Sequence, residues 1–266
     1  MDLINLIRTI ILGAIQGLTE WLPISSTGHL KIAEHFMNEK IPLLFDFILH
    51  IGTLIAVLLF FRKDIKKILS ALVHLDFKTE HGKLTPLIIV GSIPAGIIGI
   101  ILNEPVNTAF QNILPIAVAF IVCGIILYSV KFAHEKSDTI KYSAAILIGV
   151  AEGIAIIPGI SRSGATIVVA LLLGISHEKA FKFSFLLSIP AILSVLGYNF
   201  VTRSGELASA GLGWPEILTG VIVAMFIGYF ALKLLWNILA KKKFHLFAFY
   251  CWLLGIALIV FSLRWF

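Results

Sequence analysis

Two long apolar runs in this chain are each broken midway by a short polar, glycine-containing segment, and this pattern constrains the fold most. The first run covers residues 3–37 and breaks at Pro23-Ile24-Ser25-Ser26-Thr27-Gly28. The second covers 141–175 and breaks at Pro158-Gly159-Ile160-Ser161-Arg162-Ser163-Gly164. Around them lie six unbroken apolar stretches, approximately 43–61, 85–102, 113–131, 183–201, 216–236 and 244–263, with Lys131 and Lys233 only at or near their ends. About 17 to 25 apolar residues cross a hydrocarbon core of about 30 Å, so each of these reads as a membrane span. Irregular backbone at membrane depth survives only where protein or a water-filled cavity satisfies its polar groups. The two breaks therefore read as the tips of re-entrant hairpins that enter and leave on the same side.

Composition agrees. Hydrophobic residues are 59% of the chain and charged residues 14%, against roughly 45–50% and about 25% in soluble domains. A soluble enzyme, a disordered chain and a fibrous repeat are excluded. Cys123 and Cys251 both lie in apolar runs and are too few for a disulfide framework. No basic segment precedes the first apolar stretch, so no cleavable signal peptide is expected. The net charge of +6 does not call for nucleic acid, because membrane proteins concentrate Lys and Arg on cytoplasmic loops.

The basic residues test the span count. If six spans alternate and the hairpins do not cross, fifteen Lys and Arg fall on one side and five on the other, with Arg162 set apart. The richer side is then cytoplasmic, and both termini face outward. Arg62 to Lys83 reads as a cytoplasmic surface segment, and His74, His81, His134, His177 and His245 are expected in water on the same side. Aromatics such as Trp21, Trp214 and Trp252 are expected as interface anchors, with Trp21 also within reach of a lipid chain.

The two broken runs resemble each other. Residues 13–28, GAIQGLTEWLPISSTG, align without gaps onto 149–164, GVAEGIAIIPGISRSG, and Gly91 to Gly99 resembles Gly220 to Gly228. Each half, approximately 1–135 and 136–266, then holds one hairpin followed by three crossings. An odd number of crossings inserts the second half upside down. The expected fold is an all-α polytopic membrane protein, one transmembrane domain built of two inverted-topology repeats. Inverted repeats with broken helices place the functional site where the repeats meet. The Gly-x-x-x-Gly pairs Gly13/Gly17 and Gly149/Gly153 would let helix backbones approach closely there.

Ionisable groups inside apolar segments are functional candidates by default, and this chain puts Glu20, His29, Glu152 and Arg162 at or beside the tips. Gln16 and Glu20, four apart, share a helix face. Ser25, Ser26 and Thr27 precede Gly28 where a half-helix restarts, and free N–H groups beside hydroxyls form an anion site. Ser161, Arg162 and Ser163 supply donors from the opposite tip, with a guanidinium suited to phosphate. The pocket predicted is one for a phosphate or diphosphate. Asp46 and His50, four apart, are expected to meet, as a structural pair holding the hairpin in the preferred reading and as support for this site in the other.

GAIQGLTEWLPISSTGHL, followed in the second half by PGISRSGATI, resembles the undecaprenyl-diphosphate phosphatase family of the bacitracin-resistance type. FDFILHIGTLIAV (45–57), GSIPAGIIG (91–99) and FSFLLSIPAI (183–192) extend the resemblance over essentially the whole chain. The resemblance implies a multi-pass enzyme of the bacterial inner membrane that removes one phosphate from a C55 isoprenyl diphosphate, open toward the outer face. It implies a divalent cation, Mg²⁺ or Ca²⁺. By motif, catalysis falls on Glu20, Ser26, His29 and Arg162, and phosphate binding on Ser25, Ser26, Thr27, Gly28, Ser161, Arg162 and Ser163. Metal binding falls on Glu20 and Gln16, with Glu152 added because a carboxylate stands at the matching second-half position. The nucleophile is left open among Ser26, His29 and a metal-bound water, with Ser26 acting with His29 preferred. The expected partners are the polyprenyl diphosphate and membrane lipids, with a homodimer admissible. The rival expectations are a transporter of the polyprenyl phosphate carrier, since inverted repeats are transporter architecture, and a passive bacitracin-sequestering protein.

Overall fold

The computed structural model describes residues 3–37, 43–203 and 213–264, and among them the only pairing outside helices is an isolated bridge between Ser137 and Ile175. The first hairpin is α1 (Leu3–Trp21) and α2 (Ser26–Met37), which folds back against it. Next come α3 (Leu43–Phe60), α4 (Arg62–Val73), α5 (Leu84–Ala109) and α6 (Ile113–Tyr128). The second hairpin is α7 (Tyr142–Ile154) and α8 (Arg162–Leu172), and the chain closes with α9 (His177–Arg203), α10 (Trp214–Ala240) and α11 (Phe247–Arg264).

Among the described residues, six helices are long and apolar enough to cross a membrane: α1, α5, α6 extended by a 3₁₀ turn to Phe132, α9, α10 and α11 with its preceding 3₁₀ turn. The span expected at 43–61 is α3, which bends by 80° at Phe61 into α4. The sequence count differs at α1, whose 19 residues would suffice for a crossing on length alone. Only the return of α2 along it makes the pair a hairpin. Large apolar side chains such as Ile100, Phe230 and Leu253 are exposed along α5, α10 and α11. In water such a surface would drive association; here it faces lipid.

The packing exchanges elements between the halves. α1 packs on α10, and α7 packs on α5. Where Gly13 meets Gly220, an added Cβ would stand 2.6 Å from the Gly220 carbonyl oxygen. Where Gly149 meets Gly91, the corresponding separation is 1.9 Å. Gly17 lies on Ala224 and Ile227, while Gly153 lies on Ala95 and Ile98. Gly220, Ala224 and Ile227 in one set correspond to Gly91, Ala95 and Ile98 in the other under the alignment of 13–28 with 149–164 and of 91–99 with 220–228. Glycine is needed because only a hydrogen fits between backbones this close.

The main core cluster places Trp21, Phe61, Phe181 and Phe185 together, Phe181 and Phe185 having ring centroids 4.5 Å apart. At the lysine-rich end, ion pairs join segments far apart in sequence. Lys182 and His81 both reach Asp64, at 2.8 and 3.2 Å, and Lys179 reaches Glu80. His177 and Lys242 both reach Glu135, at 2.7 and 2.9 Å. His81 and His177 are thus tied to carboxylates rather than free in water. The hydrogen bond from Lys242 holds the Glu135 carboxyl below the usual carboxylate range, with His177 adding to it. Trp214 is exposed as an interface anchor would be, whereas Trp21 is wholly buried and cannot touch a lipid chain.

Candidate active site

The two tips meet, and each holds the other in shape. Residues 22–25 turn the chain between α1 and α2, with Ser25 at φ +66°. That left-handed conformation costs a residue with a Cβ about 1–2 kcal/mol. Ser25 Oγ offsets the strain by accepting from Gly159 N–H at 3.0 Å and Gly28 N–H at 3.4 Å. Gly159 is itself left-handed, at φ +100°. A Cβ on Gly28 would stand 2.7 Å from the Phe120 ring and 3.0 Å from Gly159 N. On the second tip, Ser161 Oγ caps α8 by accepting from Gly164 N–H at 3.1 Å, and Ser163 Oγ donates to the Leu22 carbonyl at 3.4 Å. Both half-helices, α2 and α8, therefore start at the seam, with their positive dipole ends there.

Glu20 is the hub. Its Oε1 accepts from Arg162 Nη2 at 2.5 Å, across 142 positions of sequence. Its Oε2 accepts from Ser26 Oγ at 2.5 Å and from Gln16 Nε2 at 3.1 Å, and His50 Nε2 stands 3.4 Å from the same oxygen. Arg162 also places Nη1 3.7 Å from Glu152 Oε1 and lies over the Trp21 ring at 5.4 Å. Gln16, Glu20, Ser26 and Glu152 are all buried. An ion pair so deep is retained only with further hydrogen bonds to its lone pairs, and Ser26 and Gln16 supply them.

Of the residues picked from sequence, Gln16, Glu20, Ser26, His50, Glu152 and Arg162 come together. Ser25, Gly28, Ser161 and Ser163 instead form the seam, their hydroxyls engaged with backbone or with each other, and Thr27 is exposed. Two expectations are corrected. Ser26 is paired with Glu20, not with His29: His29 Nδ1 is 2.7 Å from the Ser25 carbonyl, and Nε2 is 2.7 Å from the Tyr250 hydroxyl. The turn at Ser25 sends Ser26 toward α1 and His29 toward α11. Nor do Asp46 and His50 meet through their side chains. His50 Nδ1 is bonded to the Asp46 backbone carbonyl at 2.8 Å, which aims Nε2 at Glu20, while the Asp46 carboxyl faces Glu34.

Tyr250 is the residue sequence reasoning missed, because an aromatic inside an apolar run carries no signal of its own. With His29 it lines a largely apolar cavity of about 640 Å³, walled by Leu18, Leu22, Ile24, Phe247 and Lys243 among others. This cavity lies beside the lysine-bearing turn 241–243, whereas the resemblance puts the opening on the other face.

A hard cation suits the donors present. Gln16 Oε1 and both Glu152 carboxylate oxygens are buried without a hydrogen-bond partner, and oxygen ligands are what Mg²⁺ and Ca²⁺ take. Among the described residues no three His, Cys, Asp or Glu side chains gather as a ligand set. The fit is to a cation that completes its shell with substrate phosphates, as Mg²⁺ commonly does.

Comparison with known proteins identifies the family. The family model described as bacitracin resistance protein BacA matches residues 9–257. An undecaprenyl-diphosphatase of Halothermothrix orenii is 42% identical over 264 residues, covering 96% of this chain and 98% of the relative. That of Treponema denticola is 40% identical over 266 residues, covering 97% of each, and that of Methanosphaera stadtmanae is 37% identical over 277 residues, covering 98% and 99%. Since the match takes in both hairpins and every helix between them, this chain belongs to the bacitracin resistance protein BacA family.

Proposed function

We propose that this chain hydrolyses undecaprenyl diphosphate to undecaprenyl phosphate and inorganic phosphate, returning the lipid carrier to cell-wall synthesis. The observation that carries the reading is the Arg162–Glu20–Ser26 chain of contacts joining the two hairpins. The relatives' shared name, undecaprenyl-diphosphatase, supports hydrolysis over transport of the carrier. The same activity would protect against bacitracin.

In this reading Ser26 Oγ attacks the terminal phosphorus while Glu20 Oε2, 2.5 Å away, takes its proton. The anhydride P–O bond breaks, and undecaprenyl phosphate leaves with the bridging oxygen. Arg162 neutralises the charge that develops on the transferred group, in a buried site where such interactions are strongest. Water then cleaves the phosphoserine, its proton going to a base, and Glu20 returns the first proton to Ser26. His29 is assigned as that base, because it follows Ser26 by three positions and borders the cavity, whereas His50 is already engaged with Glu20. A divalent cation, when bound, lowers the charge on the diphosphate; Glu152, Glu20 and Gln16 would hold it. The lysine-rich end is placed in the cytoplasm and both termini outside, in the inner membrane of a bacterium.

The test is phosphate release from a polyprenyl diphosphate by the purified protein in detergent. Wild type is expected to turn over, and Glu20→Ala, Ser26→Ala and Arg162→Ala to fall by about 100-fold or more. Equal rates in all four proteins would remove the proposal.

A further inference from the structure

We propose that Tyr250 is a positioning residue that holds the aim of His29, whose tautomer the Ser25 carbonyl sets; the inference rests on the phosphatase reading. Tyr250 lies on α11, 221 positions from His29, and places its hydroxyl 2.7 Å from His29 Nε2. The other ring nitrogen, Nδ1, is 2.7 Å from the carbonyl oxygen of Ser25. A carbonyl can only accept, so Nδ1 carries the proton. The neutral ring then has its lone pair on Nε2, and the Tyr250 hydroxyl donates to it. The two rings lie 13° from parallel with centroids 5.8 Å apart, and Phe120 closes the ring edge-on at 5.4 Å. His29 is held from three directions.

This arrangement decides which nitrogen is the base. With Nδ1–H tied to the backbone of the strained tip residue, proton transfer is left to Nε2, whose one lone pair accepts from Tyr250 at rest and is freed for a water proton when the hydroxyl turns its O–H away. A base must be in the right tautomer as well as in reach of the proton it takes. Without the hydroxyl the Ser25 carbonyl still keeps the proton on Nδ1, but nothing on α11 holds Nε2, and the ring is freer to turn on its χ2 bond. Tyr250 touches no reacting atom in this account. It acts through His29.

Tyr250→Phe keeps the ring and its packing and removes only the hydroxyl. Phosphate release is expected to show kcat lowered about tenfold, the scale of one lost hydrogen bond, with KM within about twofold of wild type. Nitrogen-15 spectra of histidine-labelled protein should show His29 as the Nδ1–H tautomer in both proteins, with the Nε2 resonance shifted by the Tyr250 hydrogen bond in wild type and that shift lost in the variant, at an unchanged melting temperature. A wild-type His29 protonated on Nε2 would overturn the proposal, whatever the variant does. So would a variant with wild-type kcat, or one changed only in KM or melting temperature. The nitrogen spectra do not depend on turnover, so failure of the phosphatase reading itself would show separately, as wild type that releases no phosphate.

Discussion

Arg162 of the second hairpin and Glu20 of the first close a 2.5 Å ion pair where the two tips meet, and the same carboxylate holds the Ser26 hydroxyl through its other oxygen. Chemistry and architecture are therefore one contact. The hairpins cannot separate without leaving a charge unpaired in a buried site, which costs about 3–5 kcal/mol where it has been measured. The guanidinium spans two carboxylates, Glu20 and Glu152, with different nitrogens.

Arg162→Lys tests that geometry. Lysine keeps the charge but presents one ammonium in place of a planar fork, so it can serve Glu20 or a phosphate, not both. Phosphate release is expected to fall by about 100-fold, with the melting temperature in detergent higher than that of Arg162→Ala. Recovery of wild-type turnover by lysine would show that charge alone is needed.

The pairing of Ser26 with Glu20 predicts where a covalent intermediate forms. Rapid quenching after mixing with substrate, followed by peptide mass spectrometry, should find phosphate on Ser26. His29→Ala should raise its level, because the hydrolytic step loses its base. Phosphate found on His29 would reverse the two assignments.

Much of this site was legible in the sequence. Polar residues broken into an apolar run signal a tip, and ionisable ones there signal function, so Glu20, Ser26, Glu152 and Arg162 stand out in the sequence itself. The direction of each side chain does not. Ser26 and His29 are three apart and would share a face in a regular helix, but α2 begins only at Ser26, after a left-handed Ser25. The turn divides them between α1 and α11. Tyr250 comes from the far end of the chain and is one of many aromatics facing an apolar environment. For α1, length and hydropathy fit a full crossing as well as half of a hairpin; only its packing against α2 and α10 separates the two.

Glycine seats offer a graded test of the interlocked halves. An added methyl at Gly149 would stand 1.9 Å from the Gly91 carbonyl oxygen, while Gly96 and Gly197 have nothing within 4 Å. Gly149→Ala forces α7 from α5 and should destabilise by about 1–3 kcal/mol, the usual range for overpacking. Gly96→Ala should be neutral or slightly stabilising, since alanine favours helix. Melting in detergent compares them directly, and activity of Gly149→Ala should fall further than its stability, because α7 carries Glu152. Equal melting of the two variants would mean that the α5–α7 seam adjusts freely.

Glu152 is the carboxylate whose role the protein's own contacts leave least explained. Both of its oxygens are buried without a hydrogen-bond partner, and the nearest cation is Arg162 Nη1 at 3.7 Å. A carboxylate left so poorly compensated is expensive, and a divalent cation at that position would compensate it. Glu152→Gln keeps the shape and removes the charge. If Glu152 helps to hold the metal, the Mg²⁺ or Ca²⁺ concentration giving half-maximal phosphate release should rise about tenfold or more, with kcat at saturating metal near wild type. The apo-protein should meanwhile melt no lower than wild type, because the uncompensated charge is gone. A chelator should abolish turnover in both proteins and added metal restore it. An unchanged metal requirement in Glu152→Gln would assign cation binding to Glu20 and Gln16, and would leave Glu152 as the second anchor of the Arg162 fork.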